Sequence, residues 1–267
     1  MNGLKYFVLY STIFLLYALR YECGGSCHNP IDRELHKGFI GPEIYHMKRT
    51  KKGGSRQTGW LYGGRALYER LRRQGWYWAL RGNYASGCLT GKTASGGHLN
   101  SRVAEAEIEG RGGYSFCCSP WKLSSLTPYA GYGYLYSKNR FLATSPLPCT
   151  FHNRLHYGTI GLLSLVCFTD NLEAGFDLQA KFTVEGKSIV TDDPDYDTVT
   201  LFMKNKTQYE VNIPVRYRTC WQNCAIVVSL IPFYRFRRYG SQGNYPFNFI
   251  DTKFHLYGGK CLIHLCF

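Results

Sequence analysis

Beyond residue 19 the sequence has no apolar run of the length a membrane-spanning helix requires, roughly 20 residues, so helical spans are excluded there. Acidic residues are also scarce, with 18 Asp and Glu against 32 Lys and Arg, for a formal net charge of +14. Such a balance invites a nucleic-acid reading. Apart from the short MKRTKK run at 47–52 there is no dense basic tract, and no nucleic-acid partner is expected. The cations are spread through strand-like segments, which suits an anionic surface such as acidic lipid headgroups. No compact Ser/His/Asp set is present. His152 and His156 share a parity and are the nearest approach to one, but the expectation is that the chain is not an enzyme. What is abundant is Gly, 29 residues, and aromatics, 16% of the chain. That mixture suits strands and tight turns rather than helices.

The N-terminus carries the features of an export signal. Lys5 precedes an apolar stretch, YFVLYSTIFLLYAL (6–19), of the usual length for such a segment. No clean A-x-A site follows, and cleavage is placed within 20–27, giving a signal peptide over about 1–25. An uncleaved anchor helix is the alternative. Lipidation of Cys23 is disfavoured by the Arg20-Tyr21-Glu22 approach. Eleven cysteines in an exported chain imply an oxidising compartment. If Cys23 and Cys27 leave with the signal, the remainder is odd, so at least one thiol is free or bonded to another protein.

Period-two alternation recurs through the rest of the chain. In LEAGFDLQAKFTVEGK (172–187) one parity is apolar throughout and the other carries Glu173, Asp177, Lys181 and Glu185. YEVNIPVRYR (209–218) sets Tyr209, Val211 and Ile213 against Glu210, Arg216 and Arg218, and 102–116 sets Ala104, Ala106 and Ile108 against Glu105, Glu107, Glu109 and Arg111. Ten strands are expected, at about 39–49, 57–71, 75–87, 101–117, 125–138, 151–168, 172–187, 206–219, 223–239 and 250–267. The first is the weakest, because Pro42 interrupts it. Eight strands is the alternative.

A soluble sandwich also alternates. Here, however, several strands are long enough to cross a bilayer obliquely. One face is too charged for a soluble core. Tight connections (72–74, 169–171, 220–222) also alternate with long ones, including 188–205 and 240–249. Short turns on one side and long loops on the other is the layout of a transmembrane antiparallel up-and-down β-barrel with periplasmic turns. The expected organisation is a signal peptide, a periplasmic segment over 26–38 and a barrel over 39–267.

Four features carry a family resemblance: GWLYGGRALYERL (59–71), EAEIEGRGGYSF (105–116), LTPYAGYGYLY (126–136) and the terminal Phe267. In these the chain resembles the small outer-membrane β-barrel proteins of Gram-negative bacteria. Its cysteine-rich, basic composition resembles the envelope proteins of chlamydia-like bacteria, whose outer membranes are strengthened by disulfide crosslinks. The resemblance implies an integral outer-membrane location with a structural or surface-interaction role. The implied partners are outer-membrane lipid including lipopolysaccharide, the barrel-assembly machinery and disulfide-linked envelope proteins. It also implies that Phe267 acts as an insertion signal. A narrow pore for small solutes is the alternative, and a surface lipid- or peptide-hydrolysing barrel a lesser one.

Within that topology Cys117, Cys118, Cys167, Cys220, Cys224, Cys261 and Cys266 fall near the turn side and are candidates for disulfides or crosslinks, of unspecified connectivity. Zinc at Cys220, Cys224, Cys261 and His264 has the right ligand types, but Cys261 and His264 have opposite parity on a strand. GCLTGKT (87–93) imitates a P-loop with one residue too few between its glycines, and is expected to be a flexible loop. DDPDYD (192–197) offers carboxylates for weak Ca²⁺ binding, though a solvated acidic loop is preferred. No metal or cofactor is expected. On the lumen parity, Glu69, Glu105, Glu107, Glu109, Glu173, Asp177, Glu185 and Glu210 should pair with Arg65, Arg81, Arg111, Lys181, Arg216, Arg218, Arg235 and Arg237, since unpaired burial costs several kcal/mol each. A salt-bridged plug is favoured over a charge-lined channel. Trp60, Trp76, Trp78, Tyr129, Tyr132 and Tyr134 are expected on the lipid face.

Overall fold

The computed structural model describes residues 36–72, 74–117, 124–142, 145–146, 149–193, 195–196, 198–221, 224–246 and 248–266. The expected signal peptide, Cys118 and Phe267 lie outside these residues. All described elements are strands: β1 (His36–Lys51), β2 (Arg56–Arg70), β3 (Gly75–Lys92), β4 (His98–Cys117), β5 (Ser124–Phe141), β6 (Thr150–Thr169), β7 (Leu172–Thr191), β8 (Thr198–Phe202), β9 (Thr207–Asn212), β10 (Val215–Trp221), β11 (Cys224–Tyr239) and β12 (Thr252–Cys266). Each pairs antiparallel with its neighbours, and β1 pairs with both β2 and β12, so the sheet closes on itself. Because β8, β9 and β10 run in series beside β7, the twelve elements make a closed barrel of ten wall strands.

The breaks in that composite strand follow from its sequence. Pro214 has no N–H to give to the ladder. Its carbonyl accepts from Gly175, and the Ile213 N–H donates to the Pro232 carbonyl, so the wall jogs without ending. Pro42 is absorbed in the same way in β1, which runs on through it and pairs it with Gly64 of β2. Gly41 beside it is required by close approach, since a Cβ there would lie 1.9 Å from the Cys261 carbonyl oxygen.

Several expected loops are wall. β7 continues to Thr191, and β8 pairs back onto it from Thr198, leaving 192–197 as the connection. All of the P-loop imitation except Thr93 lies within β3, which pairs with β4 as far as Lys92↔His98. Extending the ladder satisfies backbone donors and acceptors that a loop would leave to water. The glycines of that segment serve packing: a Cβ on Gly91 would sit 1.8 Å from the Arg56 carbonyl oxygen. The rim with turns at 71–74 and 170–171, where β1 starts and β12 ends, is called the turn rim. The opposite one, with connections at 52–55, 93–97 and 192–197, is the loop rim.

Candidate functional site: a filled lumen

The inward parity builds a layered interior. Its middle layer is a network of charges, each fixed by the strand that carries it. Glu210 of β9 meets Arg235 at 2.9 Å, Lys181 at 3.1 Å, Lys260 at 3.4 Å and Arg81 at 3.7 Å. Glu109 meets Arg111 at 2.6 Å and Arg81 at 2.8 Å, while Glu107 meets Lys181 at 2.7 Å and Arg235 at 3.1 Å. Around this centre Arg237 pairs with Glu105, Arg216 with Glu69, Arg111 with Asp177 and Arg65 with Glu43. These side chains are almost fully buried, and burial on this scale is tolerable only when charges are paired and their remaining hydrogen-bond capacity is used. Neutral groups help supply that capacity. Gln179 accepts from Arg81 at 3.0 Å, and Lys260 donates to Asn212 at 2.7 Å.

Two cross-strand glycine–tyrosine pairs extend the network. Gly133 of β5 is in register with Tyr157 of β6, and Tyr129 of β5 with Gly161 of β6. A Cβ on Gly133 would lie 2.4 Å from Tyr157 Cζ, and one on Gly161 2.3 Å from Tyr129 Cζ. The missing side chains let each ring lie along the wall. Each hydroxyl then reaches a carboxylate: Tyr157 donates to Glu107 at 2.5 Å and Glu109 at 2.8 Å, and Tyr129 donates to Asp177. The expectation of Tyr129 on the lipid face is therefore wrong. Its parity is opposite to that of Tyr132 and Tyr134, and it lies inside with Arg111 4.6 Å over its ring.

Toward the loop rim the inward face turns apolar. Tyr45, Met47, Leu61, Leu89, Leu155, Val190, Leu201 and Leu256 are fully buried in one cluster. Two smaller clusters, around Tyr77, Tyr129 and Leu163 and around Phe39, Val227 and Leu262, occupy the turn side. The residual space is divided. A cavity of about 230 Å³ opens at the loop rim, and a pocket of about 60 Å³ lies on the turn side, with no lining residue in common.

Other expected site residues fall elsewhere. Glu185 is exposed, 3.5 Å from Lys187, not in the lumen. The ladder slips between His156↔Glu185 and Tyr157↔Thr183, a β-bulge that puts Val184 and Glu185 both outside and returns Gly186 to the interior. Glu173 and Arg218 are half-buried at the turn rim, where Glu173 faces the Cys167 thiol at 3.7 Å. Cys117 is exposed at the end of β4, and Cys261 is half-buried on the outer face. The backbones of Cys220, Cys224 and Cys266 converge at the turn rim through the register Cys220↔Ala225↔Cys266 and Trp221↔Cys224. Among the described cysteines, Cys88, Cys117, Cys149 and Cys261 form no disulfide within the chain. Cys261 and the buried His264 lie on opposite faces of β12, and no group of metal-ligating residues assembles among the described residues. Asp193 is spent on the backbone N–H groups of Asp195 and Tyr196, and Asp192 on Thr150. His152 and His156 face outward, each hydrogen-bonded through Nδ1 to a tyrosine, Tyr136 and Tyr132 respectively.

Glu43 was not among the expected lumen charges, yet it lies inside and pairs with Arg65 at 2.9 Å; its only signal was parity in the proline-broken first strand. Lys260 lies on the parity that the alternation of the closing strand assigns to the lumen, and it joins the network through Glu210 and Asn212.

The outer wall is apolar. Ile40 and Trp76 are each 70% exposed and Phe168 65%, with Tyr62, Leu80, Tyr84, Ile108, Tyr132, Ile160, Val184, Tyr209, Ile213 and Ile263 also open. Soluble monomers do not carry a continuous belt of this kind, because contiguous apolar patches above a few hundred Å² are rare on them. No protein-family model and no curated protein match the sequence. Among solved structures, the outer membrane protease OmpT from Escherichia coli superposes with a TM-score of 0.54 at 12% identity, over 86% of this chain and 96% of that one. The fold is that of a Gram-negative outer-membrane barrel. The translocator domain of the autotransporter NalP from Neisseria meningitidis aligns with a TM-score of 0.47 at 7% identity over 98% of both chains. The transport unit of the autotransporter AIDA-I from Escherichia coli aligns at 0.41 and 8% identity over 97% of both.

Proposed function

We propose that this chain is an integral outer-membrane protein with a closed lumen and a structural or surface-interaction role, exported by its N-terminal signal. The observation that carries this reading is the lumen itself, with its middle filled by interlocked ion pairs and its loop side by packed apolar side chains. Planar-bilayer recording of the purified protein is expected to give no conductance steps. Discrete steps would establish the narrow-pore reading instead.

Anionic lipid is the partner this exterior supports best. Arg102 faces Arg140 directly across neighbouring strands on the outer wall, and Arg154 faces Lys187, whose ammonium has one partner in Glu185. Like charges so placed repel each other, and phosphates of lipopolysaccharide would relieve them. The finer envelope reading, crosslinking as in chlamydia-like bacteria, draws support from the exposed Cys117 and from the three cysteine backbones gathered at the same rim. A non-reducing gel of envelope extracts should show a ladder that collapses with reductant. A single monomer band would remove the proposal. The non-enzymatic reading is supported by the tyrosine hydrogen bonds that hold His152 and His156. It predicts that replacing both with alanine leaves the protein's native role intact.

A further inference from the structure

The buried cations of the middle layer each meet a carboxylate. At the loop-rim mouth two do not. Arg49 and Lys51, on the inward parity at the end of β1, line the cavity of about 230 Å³. Arg49 is 7% exposed and donates to the neutral Gln57 amide. Lys51 places its ammonium 5.2 Å from the Phe151 ring centroid and 5.9 Å from that of Phe141. Among the described residues neither has a carboxylate within ion-pair distance. Asp193 borders the same cavity, but its carboxylate caps the N–H groups of Asp195 and Tyr196. Aromatic faces offset part of a desolvated cation's cost; they do not supply a counter-charge. A third polar group is also unspent: the Asn139 side chain, 3% exposed, lines the cavity and its oxygen has no hydrogen-bond partner.

The remainder of the lining is apolar, with Phe151, Leu201 and Phe254 among its walls. An apolar cavity of about 150 Å³ holds a benzene ring, so this one has room for a body of about ten heavy atoms. A neutral hydrocarbon would leave both cations unpaired, and an inorganic anion would leave the apolar walls unfilled. Only a molecule with one anionic head and a short apolar body answers both halves of the site.

We propose that the loop-side mouth is a binding site for a small amphipathic monocarboxylate, an aryl acid or a medium-chain fatty acid, with its head on Arg49 and Lys51 and its body against Phe151, Leu201 and Phe254. The Asn139 amide, turned about its own axis, presents its NH₂ to the same head.

The test is calorimetric titration of the folded full chain in a non-ionic detergent, using trans-cinnamate and octanoate and, in parallel, their neutral amides. The carboxylates should bind saturably and at least tenfold more tightly than the amides. Arg49→Gln with Lys51→Gln should weaken carboxylate binding at least tenfold while leaving amide binding unchanged. Leu201→Trp, which fills the cavity, should abolish both. Heat-dependent gel mobility verifies that each variant is folded. Lys51→Gln alone, at the rim, serves if the double variant does not fold, and the carboxylate–amide comparison needs no variant. Absence of saturable binding, equal affinity for acid and amide, or an unchanged carboxylate affinity in the folded variants overturns the proposal.

Discussion

Arg237 of β11 donates to Glu105 of β4 at 2.6 Å, joining walls that are not neighbours in the sheet, and both side chains are at most 3% exposed. Tyr45 of β1 donates to the same carboxylate at 3.1 Å, so three strands meet on one group. Removing one member of such a pair strands a buried charge, at a cost of about 3–5 kcal/mol, whereas replacing both by apolar side chains of similar volume is often neutral. Arg237→Met should therefore lower stability by about 3 kcal/mol, and Arg237→Met with Glu105→Leu by far less. Urea unfolding in detergent, followed by tryptophan fluorescence, measures both. Equal losses in the single and double variants would show that the pair does not act as a unit.

Gly133 and Tyr157 give a second expectation. Gly133→Ala places a methyl 2.4 Å from Tyr157 Cζ and forces the ring off the wall, an overpacking cost of about 1–3 kcal/mol. The displaced hydroxyl then loses Glu107 and Glu109. Tyr157→Phe keeps the ring and removes the two hydrogen bonds, leaving charged acceptors short of a donor at about 1–3 kcal/mol. If the ring's position matters only through its hydroxyl, adding Gly133→Ala to Tyr157→Phe should cost nothing further. An additional loss, which we expect, shows the steric part separately.

Much of this architecture is legible in the sequence because a barrel wall between lipid and a charged interior exposes its parity. In 102–116 the glutamates fall every second residue and the structure keeps each of Glu105, Glu107 and Glu109 inside. Parity is silent where both faces are apolar. Leu61 and Leu89 are fully buried in the loop-side layer, yet in sequence they look no different from lipid-facing leucines. It also fails where the count slips, since the bulge at Val184 and Glu185 leaves two outward residues in succession with no sequence signal. The extension of β3 over 88–92 was hidden by Thr90 and Gly91, which read as loop formers until β4 pairs with them; that of β7 adds Ser188, Ile189, Val190 and Thr191, which run directly into the Asp-rich connection at 192–197. The unpartnered cations at the mouth could be found only once burial and neighbours were known.

Outside the membrane-spanning part, Arg238 holds Asp251 through hydrogen bonds, the shortest 2.6 Å. That contact, followed by the charges of Arg238, Lys253 and Lys206, keeps the Asp251 carboxyl below its ordinary value near 3.8. A carboxyl with a lowered folded value stabilises the fold above its unfolded value, and the contribution disappears as pH falls through the folded one. The Arg238 side chain is 36% exposed, so solvent screening limits the effect to less than about 1 kcal/mol. Asp251→Asn should be slightly less stable than the parent at neutral pH, and the two should converge as pH falls through the folded value. A difference that persists in acid would assign the loss to the altered loop and not to the charge.

The bulge makes the last expectation unusually specific. On either side of it β6 and β7 pair in registers one residue apart, His156↔Glu185 and Tyr157↔Thr183, with Val184 as the extra residue. Deleting Val184 brings the two registers into line, leaves Glu185 outside as the next residue after the inward Thr183, and keeps Gly186, Ser188 and Val190 inside. Deleting Ala106 in β4, where the ladder to β3 is unbroken, instead inverts everything on one side of the cut and drives part of the Glu105–Glu107–Glu109 row toward lipid. A one-residue slip of this kind moves a strand's whole buried set to the other face. The Val184 deletion should yield a folded, heat-modifiable barrel and the Ala106 deletion none. Folding of both would mean that the wall tolerates register shifts freely, and failure of both would mean that the bulge is itself required for closure.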